Sequence, residues 1–180
     1  MNQGKIFENA IKASVPDGVF IYRLPDAAQS FAKPSNLRFS RKNPCDFFIY
    51  DAHKTRILFA LELKPVKGKS ISFQRNNEEQ KTIHYHQITG LTEWNKFENI
   101  VCGFLIEFRA IETTIFLDIS DFNRLLEETK KKSFTIADLD NMGLPYLVIP
   151  QELKRTRYSY DLSPLLNIKG EQNFEEETEV

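Results

Sequence analysis

Cys45-Asp46-Phe47-Phe48-Ile49-Tyr50 and Phe59-Ala60-Leu61-Glu62-Leu63-Lys64 are two apolar runs separated by the polar turn 51–56. Their composition predicts neighbouring strands of a hairpin, over 45–50 and 57–64. Side chains alternate faces along a strand, so Leu61 and Leu63 point one way while Glu62 and Lys64 point the other, beside Ala60 and Leu58. Two charges at the end of so apolar a strand are costly unless something uses them. If Tyr50 and Ile57 or Leu58 flank the turn, paired positions sum to about 107 or 108. At 108, Asp46 stands opposite Glu62 on the same face. Cross-strand Cβ atoms lie roughly 4.5–5.5 Å apart, and two carboxylates at that separation repel. A divalent cation and the Lys64 ammonium would both relieve the repulsion. Mg2+ suits such a pair because it takes one or two carboxylates and keeps several waters. A metal with its waters can activate a nucleophile against a phosphodiester, and Lys64 can stabilise charge or orient the attacking water.

Outward from this hairpin, 4–14 has Phe7, Ala10, Ile11 and Ser14 at helical spacing. Pro16-Asp17-Gly18 is a turn and 19–24 a strand. Residues 27–44 form a long connection carrying Lys33, Arg38, Arg41 and Lys42. Pro65 argues against the 57–64 strand continuing in a sheet interior, and 65–77 reads as a polar, basic loop. A helix is expected over 78–95. A hairpin follows, over 100–108 and 113–119, turning at 109–112. Ser120 or Asp121 can cap a helix through Thr129, and Thr135 a short one ending near Gly143. A last strand is expected at 145–149. This order, α-β-β-β-α-β-β-α-α-β, predicts an α/β domain with a mixed β-sheet flanked by helices.

On the 78–95 helix, with Ile83 set at 0°, Trp94 falls near 20°, Gln87 near 40° and Leu91 near 80°, at about 100° per residue. Gln87 therefore lies within the apolar stripe, where an amide needs partners. His84 falls at the stripe's edge as a candidate core histidine, His86 lies outside it and should be exposed, and His53 sits in a turn. Three histidines so scattered do not make a zinc site.

The chain of 180 residues suits one domain, expected over 1–167. Its formal charge of −1 hides an asymmetry: five of the 25 acids fall at 171–179. The residues before position 171 carry 24 basic against 20 acidic side chains, a net of +4. Residues 168–180 read as an acidic, disordered tail, and the mildly basic body permits nucleic-acid binding. No apolar run reaches membrane-spanning length, and the N-terminus lacks a signal core, so a cytoplasmic location is expected. Cys45 and Cys102 lie in apolar stretches and read as buried free thiols.

Several motifs, in order, resemble the RecU family of Holliday-junction resolvases, within the PD-(D/E)XK nucleases, and its phage-borne members. They are Gly4-Lys5-Ile6-Phe7-Glu8, Arg23-Leu24-Pro25-Asp26, Cys45-Asp46-Phe47, Glu62-Leu63-Lys64 and Gly68-Lys69-Ser70. His86-Gln87-Ile88-Thr89-Gly90-Leu91, Phe108-Arg109 and Lys131-Lys132-Ser133 complete the set. The resemblance implies a restriction-endonuclease-like core and a Mg2+ site from Asp46 and Glu62, with Mn2+ as a substitute and Lys64 as the catalytic lysine. It implies that Glu8, on the first helix, joins the active site and that Gln87 lies near the metal. It also implies a homodimer that binds four-way junctions of branched double-stranded DNA and makes paired nicks. A stalk would occupy 27–44, shorter than in the cellular enzymes. Candidate phosphate contacts are Arg23, Lys67, Lys69, Arg109, Lys132, Lys154 and Arg155, though Arg23 fits a structural ion pair with Asp26 equally well. Such contacts position DNA without reading its sequence. Two other readings fit the residues: a nuclease of the same fold acting on flap, duplex or single-stranded DNA, and a non-catalytic DNA-binding protein on a nuclease-like scaffold.

Overall fold

Burial along the central strand sets the architecture. In the computed structural model, which describes residues 2–25, 42–77 and 80–168, β3 (Leu58–Val66) is enclosed over most of its nine residues. A strand covered on both faces needs a helical layer on each. β2 (Phe47–Tyr50) pairs antiparallel to β3 on one side, and β1 (Phe20–Arg23) pairs antiparallel to β2. On its other side β3 runs parallel to β5 (Ile100–Phe108), which is followed by β6 (Thr113–Asp118) and β8 (Leu147–Ile149). The six-stranded sheet has the order β1-β2-β3-β5-β6-β8. This is a mixed α/β architecture.

One face of the sheet carries α1 (Gln3–Ser14), whose Asn2 cap accepts a hydrogen bond from the Gly4 N–H at 3.0 Å. Phe7 and Ile11, one turn apart, are buried against Phe47, Phe59, Leu61 and Leu63. Each such burial is worth about 1.5–3 kcal/mol. α5 (Ser163–Leu166) joins the same face. The other face packs Ala60, Phe104 and Ile106 against α2 (Tyr85–Trp94) and α3 (Ile119–Glu128), with α4 (Ile136–Met142) beyond. Glu62 and Lys64 therefore lie on the α2 side. Among the described residues, no helix is long and apolar enough to cross a membrane.

The pairing Phe47↔Leu61 to Tyr50↔Leu58 gives 108, one of the two sums the turn allowed. Several boundaries differ from expectation. β3 runs through Pro65, with Pro65↔Glu107 and Val66↔Phe108 in register. β2 pairs only as far as Leu61, so Pro65 has lost one neighbour and its missing N–H can face an open side. The supposed loop 65–77 contains β4 (Ser70–Ser72), paired with β7 (Ser133–Thr135). α2 starts at Tyr85, because Ile83 bridges Phe73 and its backbone is held by Ser72 and Gln74. Asp118, not Ser120 or Asp121, caps α3, accepting from the Ser120 N–H at 2.7 Å. Beyond β8 the chain forms a further hairpin, β9 (Gln151–Lys154) and β10 (Arg157–Tyr160). Thr135 and Gly143 do cap α4 as expected, and both cysteines are free and buried. The basic residues Lys33, Arg38 and Arg41, most of the stalk region 27–44, Asp26 and nearly all of the acidic tail lie outside the described residues.

Arg75 shows how a charged side chain is consumed by the fold. Its guanidinium donates to the carbonyls of Leu126 (2.9 Å), Lys131 (3.0 Å) and Thr129, closing the C-terminal end of α3.

Candidate active site

Asp46 sits where the sheet forks. Its N–H donates to the Leu61 carbonyl at 3.0 Å, and its own carbonyl accepts from the Leu24 N–H at 2.8 Å. One carboxylate oxygen, Oδ2, accepts from the Leu63 N–H at 2.8 Å, satisfying a donor that β2 no longer reaches. The backbone and one oxygen are thereby fixed, and Oδ1 has no hydrogen-bond partner among the described residues.

Glu62, on the next strand, is 4% exposed. Its Oε1 accepts from Lys64 Nζ at 2.8 Å and from Gln87 Nε2. The Gln87 amide is oriented from its other end, since Oε1 accepts the His84 N–H at 2.8 Å. An amide that meets an N–H with its oxygen must turn its NH2 to the carboxylate. Gln87 is 6% exposed, in the apolar stripe as its spacing predicts. α2 reaches this depth because Gly90 has no side chain: a Cβ there would stand 2.4 Å from Pro44 Cβ.

Burial pushes the Glu62 carboxyl up to about 8. Lys64 pulls it down, while Asp46 and Glu8 push it further up. Burial prevails because the carboxyl is enclosed. Burial also raises Asp46, offset by the Leu63 N–H and by Lys64. Glu8 raises both acids by its charge, so the first helix does present it toward the pair. Glu8 in turn pairs with Arg23 Nε at 2.6 Å. The structure thus brings together Asp46, Glu62, Lys64 and Gln87, with Glu8 and Arg23 beside them.

The pair opens on a cavity of about 180 Å³ lined by Leu24, Lys42, Asn43, Cys45, Asp46, Glu62, His86 and Gln87. Five of these were not anticipated. His86, expected in solvent, is half-buried here and stacks on His84, with ring centroids 5.5 Å apart and planes 17° apart. His84, expected in the core, is the cap residue of α2. Both shifts follow from the later start of α2, which puts His84-Tyr85-His86 at its first turn. The two imidazoles are held below their ordinary pKa by burial and by the Lys42 and Lys64 charges.

The remaining candidate cations do not line this cavity. Lys67 and Lys69 are exposed in the turn after β3, and Lys132 is exposed before β7. Arg109 donates to Gln3 Oε1 at 2.5 Å and lies 3.8 Å from Glu107. Lys154 and Arg155 lie at the tip of the β9–β10 hairpin, with Lys154 3.6 Å from Glu152.

Two carboxylates, each with one oxygen held by the protein and the other unpartnered among the described residues, form an all-oxygen donor pair on a polar cavity. That suits a hard divalent cation completed by water. Among the described residues, no group of three or more His, Cys, Asp or Glu side chains is arranged as a ready-made cation cage.

No family model matches the chain. It is 34% identical over 188 residues to the SPbeta prophage-derived uncharacterized protein YotM of Bacillus subtilis (strain 168), an alignment covering 96% of this chain and 90% of the relative. The chain belongs to the family of that prophage protein.

Proposed function

We propose that this chain is a Mg2+-dependent DNA endonuclease with a PD-(D/E)XK-type core, resolving branched DNA in the manner of the RecU-like enzymes. One observation carries the reading. Asp46, just before β2, and Glu62, on β3, open on one cavity with the Lys64 ammonium 2.8 Å from Glu62. The order of α1, three antiparallel strands, α2 and a strand parallel to the third supports it. The prophage origin of the relative fits a phage-borne nuclease.

Asp46 and Glu62 would hold the cation. When bound, the cation supplies Lewis-acid polarisation of the phosphodiester. Lys64 places positive charge where negative charge develops on the phosphate, and can orient the attacking water. Gln87 fixes the rotamer of Glu62, and Glu8, paired to Arg23, borders the site. The active species is a homodimer in the cytoplasm, its two sites set for paired nicks.

Labelled four-way junctions incubated with Mg2+ test this. Wild type should make symmetric nicks, while Glu62→Ala loses cleavage and keeps DNA binding. Equal cleavage by both would discard the assignment. Preferential cutting of flap or linear DNA would keep the chemistry and change the substrate.

A further inference from the structure

We propose that His86 is a further substrate-contacting residue of this site, whose imidazole N–H donates a hydrogen bond to a non-bridging oxygen of the scissile phosphodiester. The inference rests on the nuclease reading above.

His86 lines the same cavity as Asp46, Glu62 and Gln87. Neither of its ring nitrogens has a hydrogen-bond partner among the described residues. Because no fully buried side-chain nitrogen or oxygen among the described residues lacks a partner, both ring nitrogens stay open to the cavity and its solvent. The ring is nevertheless held in place. It stacks nearly parallel on His84, whose backbone N–H is fixed by Gln87 Oε1. The nearby main-chain donors at this end of α2 are already used: Tyr85 N–H on Gln74 Oε1 at 2.7 Å, and Gln87 N–H on the His84 carbonyl at 3.0 Å. The imidazole thus lines the cavity from the first turn of α2, in the same cavity as Asp46 and Glu62.

The electrostatics make such a donor useful. A phosphodiester entering this cavity meets two carboxylates, and its non-bridging oxygens need donors. Lys64 gives one of its three N–H donors to Glu62, and His86 adds a neutral donor to what Lys64 has left for the phosphate. An imidazole always carries at least one N–H, so it serves in either protonation state.

The test compares steady-state cleavage of labelled junction and linear DNA in Mg2+ by wild type, His86→Phe, His86→Asn and the control His53→Phe in the exposed β2–β3 turn. Phenylalanine keeps the stack and removes the donor. Loss of one oriented donor should lower kcat about 100-fold with KM within about twofold. Asparagine, which keeps an N–H, should recover about tenfold of that, and His53→Phe should match wild type. Melting temperatures of all variants should agree within about 2 °C. Wild-type kcat in His86→Phe, or equal loss in both His86 variants accompanied by lower melting temperatures, overturns the inference. If wild type cleaves and Glu62→Ala does not, that failure belongs to His86 alone. No cleavage by wild type on any substrate would overturn the nuclease reading and this one together.

Discussion

At the residue scale, the decisive feature is a carboxyl kept out of water beside two others. Metal-free Glu62 is raised by burial from its ordinary 4.5 to about 8. Between these values the folded chain holds a proton that the unfolded chain has released. Stability is therefore greatest below this window and falls as pH rises through it. Thermal unfolding from about pH 5 to 8.5 should show this fall, and Mg2+ should reduce it by holding the ionised form. Glu62→Gln should flatten the profile and raise the metal-free melting temperature at pH 8, about 2–4 °C for each kcal/mol regained, while abolishing cleavage. A steeper profile in Glu62→Gln would contradict this origin of the strain. The convergence of Asp46, Glu62 and Lys64 was legible from alternation and one of two expected hairpin registers, while their catalytic reading drew on the family resemblance. His86 was not, because its place depends on where α2 begins, and that is set by the Ile83–Phe73 bridge between segments distant from the strand pair.

At the element scale, α2 is pressed against the fork of the sheet through Gly90 and Pro44. Gly90→Ala must push the two apart, since a proline ring cannot swing aside as a flexible side chain does. The expected cost is about 1–3 kcal/mol in unfolding free energy. Cleavage should fall further than stability alone explains, as Gln87 withdraws from Glu62. Denaturant titration with parallel rate measurements checks it; an unchanged rate would mean that Gln87 does not position Glu62. Hairpins with clean alternation, β2–β3 and β5–β6, could be read from the sequence because each strand's own residues set its register. β4 and β7 could not: three-residue strands carry too little pattern, and each is defined by its partner some sixty residues away. Pro65 misled for a related reason, since its effect depends on β2 ending its pairing at Phe47, opposite Leu61.

For the whole molecule, the order of elements foretold a mixed sheet with helices on both faces. The late β9–β10 hairpin did not announce itself, as its run Lys154-Arg155-Thr156-Arg157 reads as surface charge. Five of the basic residues proposed to meet DNA, Lys67, Lys69, Lys132, Lys154 and Arg155, lie in the exposed turns after β3, before β7 and between β9 and β10. Binding that depends on them should weaken steeply as salt rises from about 50 to 200 mM, by counterion release. Lys67→Ala with Lys69→Ala should reduce the slope by about one to two, measured by fluorescence anisotropy; an unchanged slope would remove that turn from the DNA path.

The central claim is that Asp46 and Glu62 share a divalent ion. A crystal soaked in Mn2+, with data collected at the manganese edge, tests it most directly. An anomalous peak between the two carboxylates, absent from Glu62→Gln crystals, is the predicted result. A peak elsewhere, with both carboxylates unmetallated at saturating Mn2+, would contradict the account.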